Sequence, residues 1–174
     1  AVRYNPSLHL FEPIPELCER LETMFADYPK VKIHCFGVSA TSTHKTQFYL
    51  RSDPGHSQGD AGEFDPKAGD AQFRSVDVQI RKWDEALSAM GMKSTADIHT
   101  LHMNCEGCEY EIMDRLIETG DASKLEEIHL AWHPLPAVPA FHHRYCTSRA
   151  LLQRTHKLQY SFRFTWEMWL RKDL

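Results

Sequence analysis

No apolar run in this chain approaches the roughly 20 residues a bilayer-spanning helix needs, so a transmembrane helix is excluded. Basic residues are not in excess either. Lys and Arg number 20 against 24 Asp and Glu, for a net charge of −4. No Lys/Arg-dense stripe is present, so the electrostatic footprint of a nucleic-acid binder is missing and no nucleic acid is expected as a partner. Internal repeats and a clear linker are lacking as well. The chain begins at Ala1 with no signal peptide or amphipathic leader in view, which leaves processing or a longer parent chain as the expectation.

The cysteines are five, an odd number: Cys18, Cys35, Cys105, Cys108 and Cys146. A chain of 174 residues is large enough to build a core without staples, so a reducing intracellular compartment or organelle is expected over secretion. The rest of the composition, 42% hydrophobic and 25% charged, excludes a disordered or collagen-like chain. One domain over 1–174 is the expectation at this length, burying about 70% of the unfolded surface.

Periodicity supplies the elements. Ser7–Pro13 reads as a short strand ending at Pro13. Leu17, Leu21, Met24, Phe25 and Tyr28 then fall at helical spacing, with Pro15 suited to the first turn. Strands are expected in 30–40, 47–50, 73–80, 99–105 and 125–132. Helices are expected up to Met90, after Gly107 and from Phe141 to Thr155. Residues 52–70, rich in Gly, Asp, Pro and Ser, read as a long loop. From Leu158 to Leu170 apolar residues alternate without a break. That is too long for one strand, so a turn near 164–166 and an antiparallel pair are expected. This order predicts an α/β domain with a mainly parallel sheet.

In an open parallel sheet, ligands gather beyond the carboxyl ends of the strands. Those ends carry Glu12, Val38 and Ser39, Asn104 with Glu106, and His133. An acid at such an end suits a ribose diol, because a carboxylate offers only acceptors to two donors. The alternative for Glu12 is an exposed acid favoured by the following helix N-terminus. Cys105-Glu106-Gly107-Cys108 has a C-x-x-C spacing at a strand-to-helix junction, which suits redox chemistry. The strand and helix patterns also account for both thiols. A zinc site would need two further ligands, for which Cys146 and His133 are unpatterned candidates, and no metal is expected. His142, His143, Trp166 and Trp169 read as structural.

Leu10-Phe11-Glu12-Pro13-Ile14-Pro15-Glu16, together with Met103-Asn104-Cys105-Glu106-Gly107-Cys108-Glu109, resembles two motif steps of the FkbM family of S-adenosylmethionine-dependent methyltransferases. Thr155-His156 and Trp166-Glu167-x-Trp169 are similar to a subgroup of that family. The resemblance implies a Rossmann-like fold, S-adenosylmethionine as cofactor, and methyl transfer to a hydroxyl of an unidentified acceptor. It places Glu12 at the ribose, Val38 and Ser39 near the adenine, and Asn104 and Glu106 at the transfer cleft. Glu106 or His133 would be the base, with capping of the next helix as the other role for Glu106. Two departures stand out. Asn104 replaces the family's Asp, and an amide is no base. The glycine-rich turn after the family's first strand is absent, so the fold is expected to be incomplete at the N-terminus. The missing strand would then lie upstream or come from a partner. A catalytically inactive module within a larger protein assembly is the alternative function.

Overall fold

The computed structural model describes residues 5–40, 42–51, 61–62, 73–136, 138–163 and 165–173. The chain divides into two compact units, 1–90 and 91–174.

The first unit begins with β1 (Leu8–Phe11), α1 (Pro15–Met24) and β2 (Val31–His34). Strands β1 and β2 pair in parallel, Leu10 opposite Ile33, as a two-stranded sheet crossed by α1. Pro15 sits in the first turn of α1, where its missing N–H loses no helical bond. β3 (Gly37–Ser39), β4 (His44–Arg51), β5 (Ala61–Gly62) and β6 (Phe73–Lys82) make a second sheet in the order β3-β6-β4-β5. Helix α2 (Trp83–Ala89) follows directly, with Trp83, Ala86 and Leu87 buried.

The second unit holds β7 (Thr100–Met103), α3 (Cys108–Glu118), β8 (Glu127–Leu130), α4 (Phe141–Thr155), β9 (His156–Phe162) and β10 (Trp166–Arg171). Its sheet runs β7-β8-β10-β9: β7 and β8 are parallel, and β10 is antiparallel to both β8 and β9. The buried face of α3 is Glu109, Ile112, Met113 and Leu116, an i, i+3, i+4, i+7 stripe. With Ile128, Leu130, Trp132, Tyr145, Leu152 and Trp169 it forms the unit's core.

One carboxylate lies at the centre of that core. Glu167 of β10 is 1% exposed, accepts from four donors and is paired with Arg149. Its Oε2 takes the indole N–H groups of Trp132 at 3.3 Å and Trp169 at 3.1 Å. Its Oε1 takes the hydroxyls of Tyr145 at 2.8 Å and Ser161 at 3.2 Å, with Arg149 Nε at 3.4 Å. A buried charge so fully partnered ties the segment after β8 to α4, β9 and β10 at one point.

The expectation of a Rossmann-like fold with a mainly parallel sheet is overturned. Three small sheets are present, and most of their pairings are antiparallel. The reason lies in β4 and β6. Thr46 faces Val78 and Phe48 faces Val76, so antiparallel pairing joins the apolar faces of both strands across eight registered positions. The stretch expected as one strand over 30–40 also divides, β2 pairing with β1 and β3 with β6. Neither β1 nor β7 has a second strand beside it among the described residues. The 52–70 loop lies outside the described residues apart from β5. No helix among the described residues is long and apolar enough to cross a membrane.

Candidate functional site

Parallel pairing of β7 with β8 brings the segments after both strands to one end of the second unit's sheet. After β7 run Asn104, Cys105, Glu106 and Gly107; after β8 run Ala131, Trp132 and His133. The turn into α3 needs left-handed backbone at two successive positions, φ 54° at Glu106 and φ 114° at Gly107. A Cβ on Gly107 would also lie 3.2 Å from Val138 Cγ2 and 3.3 Å from Leu135 Cδ1. Glycine is therefore the residue this corner requires.

The turn is held from beneath by Glu109, whose side chain is fully buried. Its Oε2 accepts the Gly107 N–H at 2.8 Å, and its Oε1 accepts the Cys105 N–H at 2.7 Å. Oε1 also meets His133 Nδ1 at 2.8 Å. An ionised carboxylate can only accept, so Nδ1 carries the proton and donates, leaving the lone pair of the neutral imidazole on Nε2. Glu106 Oε1 lies 3.3 Å from that Nε2. The Tyr110 hydroxyl donates to the His133 carbonyl at 2.9 Å and fixes the residue's backbone.

Electrostatics follow from this geometry. Burial alone would lower the His133 pKa, but the Glu109 hydrogen bond and charge, then the Glu106 charge, outweigh it and raise it above 6.5. Burial first, then the neighbouring Glu109 charge, push the Tyr110 phenol up to about 12. Tyr110 is thus a neutral hydrogen-bond donor at physiological pH. The site is a basic imidazole on a buried carboxylate, with a second, partly exposed carboxylate beside its basic nitrogen.

Of the residues singled out in the sequence, the structure brings Glu106 and His133 together. Asn104 is exposed at the end of β7. Glu12, Val38 and Ser39 belong to the first unit. Glu12 ends β1, with Oε1 accepting the Ile14 N–H at 2.8 Å; burial raises its pKa and that hydrogen bond opposes the rise. Val38 is half-buried on β3, paired with Arg81. Ser39 is buried, and its hydroxyl closes the turn to Ser42 by donating to that residue's carbonyl and accepting from its N–H. Sequence reasoning missed Glu109 as a site residue. The signal was there, since Glu109 opens the apolar stripe of α3, where a carboxylate demands a partner.

The expectation of reduced cysteines is also corrected. Cys18 pairs with Cys35 and Cys105 with Cys108, at Cα separations of 5.5 and 5.4 Å, leaving Cys146 free and exposed. Separations in this range suit a disulfide, and connectivity of this kind is set by the fold, not by spacing. Among the described residues, Cys18, Glu22 and Cys35 alone gather three ligand atoms within 4.8 Å, and both of those thiols are in the disulfide. No protein-family model, curated protein or solved structure matches this chain.

Proposed function

We propose that His133 is the general base of a methyl transfer from S-adenosylmethionine to a hydroxyl oxygen. The observation that carries the reading is His133 Nδ1 at 2.8 Å from the buried Glu109, a contact that puts the neutral ring's proton on Nδ1 and its lone pair on Nε2. The motif steps around Glu12 and Glu106 supply the reaction class by resemblance.

The residues fit the ribose end of the cofactor. One oxygen of Glu12 is spent on the Ile14 N–H, and the other has no hydrogen-bond partner among the described residues. A half-buried carboxylate in that state gains from two hydroxyl donors, which a ribose diol offers. When bound, S-adenosylmethionine supplies a methyl carbon already activated toward an oxygen nucleophile. The protein's work is then to orient the acceptor and take its proton. His133 Nε2 accepts the hydroxyl proton, and Glu109 holds the ring and stabilises the imidazolium that forms. Glu106 adds a second negative charge beside the protonated Nε2. Asn104, an amide, serves by hydrogen bonding only.

A second reading, a catalytically inactive module in a larger assembly, is favoured by Asn104, whose exposed amide cannot take a proton. Titration calorimetry of the protein with S-adenosylmethionine separates the two. Saturable binding that Glu12→Ala weakens at least tenfold supports the methyl-transfer reading. No binding heat, with none in S-adenosylhomocysteine either, rejects it in favour of the inactive module.

A further inference from the structure

The Cys105–Cys108 disulfide closes a four-residue ring, and both residues inside that ring, Glu106 and Gly107, adopt left-handed backbone. Gly107 takes this conformation freely. Glu106, with its Cβ, does not, and persists there only while its surroundings over-determine it. What the ring presents is the Glu106 carboxylate, 3.3 Å from His133 Nε2. Part of the ring has separate support, since Glu109 binds the N–H groups of Cys105, at one end, and of Gly107, inside it, whether or not the sulfurs are joined.

We propose that Cys105–Cys108 is a redox-exchanging disulfide whose closed form holds Glu106 against His133 and whose open form releases it. The proposal rests on the base role given to His133 above, and its test reads thiol state and imidazole protonation, neither of which requires methyl transfer.

Local chemistry favours exchange at this pair. Cys105 and Cys108 are each half-buried and within reach of solvent, while the other disulfide joins a completely buried Cys18 to an exposed Cys35. Cys108 is the first residue of α3, an 11-residue helix, so a thiolate leaving there meets backbone N–H groups that favour negative charge. The reductant is a dithiol. One of its thiolates attacks Cys105 Sγ, the Cys105–Cys108 S–S bond breaks, and Cys108 leaves as thiolate. The second thiolate of the reductant then displaces Cys105 from the mixed disulfide. The reductant ends as a cyclic disulfide, and two electrons and two protons reside on the protein's thiols.

The groups facing the His133 ring are Glu109 from α3, Glu106 from the ring and the backbone of Ala131, while Tyr110 reaches the His133 carbonyl. Of these, only Glu106 lies inside the ring. Opening the ring therefore removes one carboxylate from the imidazole and leaves the other.

The test equilibrates the full chain with dithiothreitol, maps the opened cysteines by alkylation and peptide mass, and follows the His133 imidazole by NMR across pH. Cys105 and Cys108 are expected to label at lower dithiothreitol than Cys18, and the His133 midpoint to fall on reduction. Oxidised Glu106→Gln should show the lowered midpoint already and not respond to dithiothreitol. The comparison of oxidised with reduced wild-type chain needs no variant. The proposal is overturned if the pair stays closed in dithiothreitol that opens Cys18–Cys35, or if the midpoint is the same in both states.

Discussion

Replacing Glu167 by alanine should be among the most damaging single changes in the second unit, and the size of the loss can be worked from its partners. Truncation leaves the indole N–H groups of Trp132 and Trp169 and the hydroxyl of Tyr145 facing a void, while the exposed Ser161 can turn to water. Tyr145 retains Arg149 Nη1 at 2.7 Å, and Arg149 is a quarter exposed, so water can serve its guanidinium and little is charged to it. The two indoles have no such recourse. Each buried donor left unmet costs about 1–3 kcal/mol, and the lost methylenes add a cavity, so Glu167→Ala should cost about 3–5 kcal/mol. For a chain this long that corresponds to roughly 6–20 °C in Tm. Glu167→Gln keeps one oxygen for the indoles and places an amide toward two hydroxyls that can turn to accept, so about 1–2 kcal/mol is expected. Urea denaturation followed by tryptophan emission reads both, since Trp132 and Trp169 are fully buried beside the substitution. A cost below 1 kcal/mol for alanine refutes the argument that the core is organised on this acceptor.

Three further perturbations test other parts of the account. Gly107→Ala puts a Cβ at φ 114° and against Val138 and Leu135, and should cost about 1–3 kcal/mol in the same assay; no loss would mean the corner is not as tight as described. The Ser148 hydroxyl is buried in α4 with no hydrogen-bond partner among the described residues, so Ser148→Ala should stabilise by about 1 kcal/mol, and a clear destabilisation would reveal a bond to that hydroxyl. Burial holds His156 below its ordinary pKa, with its Nε2–H on the Leu125 carbonyl at 3.0 Å. The unfolded chain then binds the proton more readily, so this contribution is present above pH 6.5 and is lost as pH falls toward the folded midpoint. His133, raised, works in the opposite sense, adding stability below pH 6.5 that is lost as pH rises through its folded midpoint. His156→Gln should therefore flatten the fall in urea midpoint between pH 7 and pH 5, and an unchanged slope would remove His156 as its source.

Local periodicity carried much of the fold. Helix α4 was legible from end to end, and α3 from its apolar stripe, because helical spacing reports burial on a single element. The run from Leu158 to Leu170 divides into β9 and β10 because alternation of that length has to fold back on itself. Sheet partners were not legible. A period of two shows which face of β4 is apolar but is silent on whether β6 runs beside it parallel or antiparallel. At the site, Glu106 and His133 were visible as strand-end residues, since that rule depends on position alone. Glu109 was not, because its role arises from three hydrogen bonds that converge only after the turn has formed. The disulfides were hidden for a similar reason: pairing follows from Cα proximity, which an odd count cannot convey.

The base assignment at His133 is the claim on which the functional reading stands. Nitrogen-15 NMR of the imidazoles in the oxidised full chain, across pH, tests it directly. The account predicts a His133 midpoint above 6.5 and, once deprotonated, a proton on Nδ1 with a bare Nε2. Glu109→Gln should bring that midpoint down. A proton on Nε2, or a midpoint below 6.5 in the wild-type chain, would contradict it.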